Sequence, residues 1–228
     1  ASVGPPAAAG PAGGVVPAAT VRSSVLGSFA AAPGLDEGAL RHLLEQANRE
    51  VVARQAEGGQ LAAMRSTVVL AAVDLHDEEI AWAHCGDSRA YLFRDRALVA
   101  RTTDHSLVQQ MVEGGMLDEE AARAHPHRNM LLSALGSVDE LPEISVCPRM
   151  PLRAGDVLLL CSDGVWEPLG DGGLTEALHA ARDPGQWIEG IDAQVRARAK
   201  PGHDNYTALV LWAHASGDDE VTQLLAPR

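Results

Sequence analysis

Three aspartates that share one kind of setting are the residues of this chain best suited to chemistry. Asp87 lies in Cys85-Gly86-Asp87-Ser88-Arg89, Asp163 in Ser162-Asp163-Gly164, and Asp204 in Gly202-His203-Asp204-Asn205, each beside an apolar run. From 87 to 163 and from 163 to 204 the separations are 76 and 41 positions, so only tertiary folding can bring these acids together. Taken singly, each reads as a turn residue, and an Asp-Gly after a strand is most often a turn. Gathered in one place, the carboxylates repel one another strongly unless a cation neutralises them. Oxygen-only ligands select a hard ion, Mg²⁺ or Mn²⁺, over zinc. A pair of such ions can activate water and hold a phosphoryl group for in-line attack.

The elements that must position these acids follow from the pattern of apolar residues. Val157-Leu158-Leu159-Leu160-Cys161 is a continuous apolar run, too short for a free-standing helix, and it predicts a strand buried on both faces that ends at Ser162-Asp163-Gly164. Strands are predicted at Thr67–Leu75 and Glu79–Cys85, joined by His76-Asp77-Glu78, then at Ala90–Phe93 and Ala97–Val99 around Arg94-Asp95-Arg96. Further strands are expected at Ile144–Cys147 and Tyr206–Ala213. Helices are predicted at Thr20–Ala31, at Asp36–Gln55 with Asp36 as its cap, at about Leu174–Ala181, and from Pro184 to Ala199. Between Ser106 and Leu135 two short helices are expected on either side of Gly114-Gly115. Residues 1–19, rich in Ala, Gly, Pro and Val, read as loop, and the absence of an initiator Met reads as a trimmed or partial chain.

With 31 acids against 18 bases the formal net charge is -13, which argues against a nucleic-acid partner or an anionic membrane surface. No apolar run approaches the length of a membrane span. A hydrophobic content of 46% over 228 residues supports one domain, residues 1–228. Cys85, Cys147 and Cys161 lie far apart and suit reduced thiols in a cytoplasmic protein. His125 and His127 read as part of a polar loop, since nothing fixes both imidazoles on one helical face.

Five stretches, in order, resemble the metal-dependent protein phosphatases of the phosphatase 2C (PPM) family in its compact bacterial form. They are Gly86-Asp87-Ser88-Arg89-Ala90-Tyr91-Leu92, Thr103-Asp104-His105-Ser106-Leu107-Val108, His125 to Gly136, Leu160-Cys161-Ser162-Asp163-Gly164, and Asp204-Asn205-Tyr206-Thr207. The resemblance implies an α+β fold, a four-layer α-β-β-α sandwich with two central antiparallel sheets. It implies hydrolysis of phosphoserine and phosphothreonine by metal-activated water, with two Mn²⁺ or Mg²⁺ ions and a third, weaker site. Asp163 and Asp204 would be the catalytic metal ligands, Asp87 and Glu167 would hold the accessory ion, and Ser162, Gly164 and Asn205 would support them. Residues 107–133 would form a mobile flap beside the cleft. The implied partners are phosphorylated Ser/Thr proteins and a Ser/Thr kinase, for a protein acting as a monomer.

The departures from the family fall at the start of the chain. The family's opening strands and phosphate-gripping Arg have no counterpart. The nearest match to its Val-Ala-Asp-Gly-x-Gly-Gly-His segment is Ala7-Ala8-Ala9-Gly10-Pro11-Ala12-Gly13-Gly14, with Ala9 in place of the carboxylate that bridges both metals. A methyl group cannot ligate a cation, although Gly10 can still offer its carbonyl to a metal. Arg65 also stands where the family has Gly. The alternative expectation is therefore a catalytically impaired pseudophosphatase that docks phosphoproteins or regulatory partners.

Overall fold

The computed structural model describes residues 15–138, 141–198 and 205–214. In chain order its elements are α1 (Val15–Ala31), α2 (Glu37–Gln55), β1 (Val68–Asp74), β2 (Glu79–Cys85), β3 (Arg89–Arg94), β4 (Ala97–Arg101), α3 (Leu107–Glu113), α4 (Glu119–Ala124), β5 (Ser145–Pro151), β6 (Val157–Cys161), α5 (Asp163–Ala180), α6 (Pro184–Arg198) and β7 (Ala208–Trp212). The strands form two antiparallel sheets, ordered β1-β2-β5 and β4-β3-β6-β7.

Alternation along the strands builds the layers. On the first sheet Leu70, Ala72, Ala81 and Ala83 face α2 and pack with Leu40, Leu43 and Leu44. The opposite faces meet sheet to sheet, where Ile80 and Trp82 pack against Ala90, Leu92 and Leu158. The remaining face of the second sheet, Tyr91, Phe93, Val157 and Leu159, receives α5 and α6 through Leu174, Leu178, Trp187 and Ile191. The result is the expected α-β-β-α sandwich. Because β6 is covered on both faces, its alternate residues bury against different partners, and its sequence is apolar throughout. Each fully buried Leu or Phe here contributes about 1.5–3 kcal/mol, so the two central strands are the most expensive part of the fold to disturb.

Several element boundaries differ from expectation for identifiable reasons. The first helix begins at Val15, so residues 15–19 are helical and not loop. Pro17 is compatible with this because the first turn of a helix has no intrahelical acceptor for its N–H. The helix expected at Leu174–Ala181 begins at Asp163 and is interrupted at Gly170, whose φ of 63° and ψ of 175° leave the helical region two residues after Pro168. Strand β5 runs on through Pro148 to Pro151, which an edge strand tolerates because its outer N–H groups need no ladder partner. The hairpin between β1 and β2 is as expected: Asp74 Oδ1 accepts from the N–H groups of His76 and Asp77 at 2.8 and 3.1 Å. Among the described residues no helix is long and apolar enough to cross a membrane.

Candidate metal centre

Strand register explains how two distant acids come together. Arg89, the first residue of β3, pairs with Cys161, the last residue of β6, in an antiparallel ladder. Asp87 lies two residues before the one and Asp163 two residues after the other, so both emerge at the same sheet end. On the far side of β6, Cys161 pairs with Ala208, which directs the residues preceding β7 to that end as well. Asp87, Asp163 and Glu167 line one cleft between this end, α5 and the 107–133 segment. Asp204, Ala9 and Gly10 lie outside the described residues.

Asp163 is the first residue of α5, with Ser162 at its N-cap, so the acid sits in a helix start and not in the isolated turn that its residue type favours. The corner is fixed by exchange with the incoming strand: Ser162 N–H donates to the Thr207 carbonyl at 3.1 Å, and Thr207 N–H donates to Ser162 Oγ at 3.1 Å. Gly164 is required by proximity, since a Cβ there would stand 2.6 Å from the Asn205 carbonyl oxygen. Ser162, Gly164 and Asn205 are thus in one contact group beside Asp163. Gly164→Ala is expected to destabilise the chain by about 1–3 kcal/mol, as overpacking does, in urea titration. Hydrogen exchange should quicken at 205–207, and unchanged stability would show that this corner yields freely.

The surroundings of Asp87 are electrostatically unfavourable for its charge. Burial, followed by the charges of Asp163 and Asp104, pushes its carboxyl up to about 7. Its backbone is held from above: Trp166 Nε1 donates to the Asp87 carbonyl at 2.9 Å. The Trp166 ring lies under the guanidinium of Arg89, with Cζ 3.5 Å from the ring centroid. Arg89 in turn grips Asp104 with both prongs, Nε to Oδ1 at 2.7 Å and Nη2 to Oδ2 at 2.8 Å, and donates to Tyr91 Oη at 3.0 Å. This chain of contacts from Asp104 to the Asp87 carbonyl fixes the backbone that carries the acid.

A second support comes from stacked imidazoles, His84 and His105, whose ring centroids are 4.5 Å apart. Gly86 N–H donates to His105 Nδ1 at 3.2 Å, so the neutral ring carries its proton on Nε2, 2.9 Å from Ser145 Oγ. His84 Nε2 meets the Thr103 carbonyl at 2.8 Å. Burial lowers the pKa of both rings. They serve as neutral spacers that lock Gly86 to the Thr103–Ser106 loop.

Glu167, expected to hold an accessory ion, is ion-paired to Arg128 on the loop after α4. His125 and His127 stand 5.6 Å apart between ring centroids, as neighbours in a polar loop. Among the described residues no group of three or more His, Cys, Asp or Glu side chains is placed to hold a metal ion. Asp87 and Asp163 are both hard oxygen donors, and the Asp163 charge opposes ionisation of Asp87, a repulsion of the kind that a divalent cation relieves. Sequence reasoning assigned no role to Arg89, Asp104 or Trp166. The signal was present for the first two, a basic residue two positions after one acid and an acid opening the next loop, but only the fold shows that they pair.

A four-layer sandwich with an acidic cleft at one sheet end defines the class, and comparison with known proteins gives it a family. The family profile described as Stage II sporulation protein E (SpoIIE) matches residues 12–214. The chain is 33% identical over 173 residues to the serine/threonine phosphatase stp of Listeria monocytogenes, covering 75% of this chain and 66% of that protein. The crystal structure of the PPM Ser-Thr phosphatase MsPP from Mycobacterium smegmatis, in complex with cacodylate, superimposes with a TM-score of 0.72 at 28% identity, covering 86% of this chain and 81% of the other. The catalytic domain of the serine threonine protein phosphatase PstP, in complex with two manganese ions, gives a TM-score of 0.73 at 28% identity, covering 89% and 83%. The chain belongs to the phosphatase 2C (PPM) family in its bacterial form. It spans just under two thirds of the length of its Listeria relative.

Proposed function

We propose that this chain is a divalent-metal-dependent protein phosphatase that hydrolyses phosphoserine and phosphothreonine. The observation that carries the reading is the pairing of Arg89 with Cys161, which sets Asp87 and Asp163 at one sheet end in a shared cleft. The serine/threonine phosphatases among its relatives, one of them crystallised with two manganese ions, support it. Bound in such a cleft, a cation pair lowers the pKa of water and offsets phosphoryl charge. Asp163 and Asp204 would hold the cation nearest the reaction, and Asp87 an accessory one. Glu167 joins the accessory site only by giving up Arg128, so that ion should be the weaker. Ser162, Gly164 and Asn205 keep the Asp163 corner in place, and Trp166 and Arg89 fix the backbone that carries Asp87. The substrates are products of a Ser/Thr kinase, met across the 107–133 segment as a flap.

The second reading, a docking module without chemistry, rests on Ala9 standing where the family has its bridging acid. One experiment separates the two. Manganese titration by calorimetry is paired with turnover of para-nitrophenyl phosphate and a phosphothreonine peptide, for the chain as it is and for Ala9→Asp. Manganese-dependent turnover by the unaltered chain supports the enzyme. Turnover confined to Ala9→Asp, with tighter manganese binding, supports the impaired module, and no turnover by either form overturns the enzyme reading.

A further inference from the structure

The four arginines that line the cleft are not equivalent. Arg89 is held by Asp104, Arg101 by Glu119 at 3.0 Å and Asp171 at 3.3 Å, and Arg128 by Glu167. Arg123, exposed on α4, has no carboxylate partner among the described residues, although it lines the same cleft as Asp87 and Asp163. Its guanidinium stands over the interruption in α5: a Cβ built on Gly170 would be 3.1 Å from Arg123 Nη1. Gly170 leaves room for the guanidinium to rest on the α5 backbone at the cleft wall, and the exposed side chain is reachable by a group arriving from outside.

Position fixes what that group is. Gly170 is seven residues beyond Asp163 on α5, roughly 10 Å at 1.5 Å per helical residue. An extended peptide advances about 3.3 Å per residue, so Arg123 stands about three residues along a bound peptide from whatever reacts at Asp163. The protein as a whole carries a formal net charge of -13 and repels acidic segments, so an unpaired cation at this point has a selective effect. We propose that Arg123 is a specificity-determining residue that receives an Asp or Glu side chain about three positions from the phosphorylated serine or threonine. This deepens the phosphatase reading and rests on it.

The test measures binding, so that it does not depend on turnover. Fluorescent peptides carrying a non-hydrolysable phosphonate in place of phosphoserine are prepared with Asp, Ala or Lys at the second and third positions on both sides. Their affinity for the full chain with manganese is read by anisotropy at low salt. The unaltered chain should prefer the Asp peptide over the Ala peptide by about 3–5-fold, the size of an exposed ion pair, with the Lys peptide weakest, and high salt should erase the difference. Arg123→Gln should level the three affinities, and Arg123→Glu should reverse their order. A preference kept in Arg123→Gln, or no preference in the unaltered chain, overturns the proposal. Para-nitrophenyl phosphate turnover by the unaltered chain is followed in parallel. Turnover without peptide discrimination overturns the Arg123 subsite alone. Discrimination without turnover supports the subsite and overturns the phosphatase reading alone.

Discussion

Arg89→Leu is expected to cost about 3–5 kcal/mol of folding stability, the usual price of removing one partner from a buried ion pair, measured by urea unfolding of the metal-free chain. The side chain of Arg89 is 12% exposed and that of Asp104 6%, so deleting the guanidinium leaves a carboxylate that water reaches poorly. The two fork hydrogen bonds, the bond to Tyr91 and the stack on Trp166 disappear together. Arg89→Lys keeps the charge but cannot reproduce the bidentate fork or the flat stack, and should fall between the two. The diagnostic variant is Arg89→Leu combined with Asp104→Leu. It removes both charges, and it should recover part of the loss because no buried carboxylate is stranded. Since Trp166 holds the Asp87 carbonyl and packs under Arg89, manganese affinity should fall in the same variants. A single Arg89→Leu change worth less than about 1 kcal/mol would show that Asp104 reaches solvent or another partner, and that this clamp does not organise the site.

What the sequence made legible, and what it did not, divides along the line between local pattern and long-range pairing. The run from Val157 to Cys161 announced a strand covered on both faces, and it is one. The acids at its end and before β3 announced charge in need of a partner. That they share an end depends on Arg89 facing Cys161, a register set by the packing of two sheets and by no local signal. Asp163-Gly164 looked like a turn because residue type favours one. The helix start wins because Gly164 lets the segment at Asn205 close on it, a contact between positions 41 residues apart. The glycines at 170, 172 and 173 hid the first half of α5, and only Gly170 actually leaves the helix. The engagements of Arg128 with Glu167 and of Arg101 with Glu119 involve long side chains whose partners are set by how the 107–133 segment lies against β4 and α5. Sequence spacing carries no trace of that.

Asp163→Asn should separate the cation site from the fold, with opposite effects on each. If Asp163 holds the cation as proposed, losing its charge should weaken manganese binding by at least the 10–100-fold that outer-shell changes cause, and peptide phosphatase rate should fall with it. Without metal the same change should stabilise the protein above neutral pH. The folded carboxyl of Asp87 ionises at about 7, above the ordinary value of 3.8, because burial and then the Asp163 charge oppose its ionisation. A raised folded pKa contributes stability that is fully present below the unfolded value and is lost as pH rises through the folded one. The metal-free chain should therefore weaken between about pH 4 and pH 8, by about 1–3 kcal/mol once partial exposure of the group is allowed for. Asp163→Asn removes the larger of the two opposing charges, so this decline should be shallower and complete at lower pH. Manganese should restore the unaltered chain at pH 8 and do little for the variant. Thermal melts at pH 5, 6, 7 and 8, with and without manganese, read all of these. A variant that melts lower than the unaltered chain at pH 8 without metal would show that Asp163 is held chiefly by favourable bonds at the α5 start, and that the two carboxylates do not crowd each other.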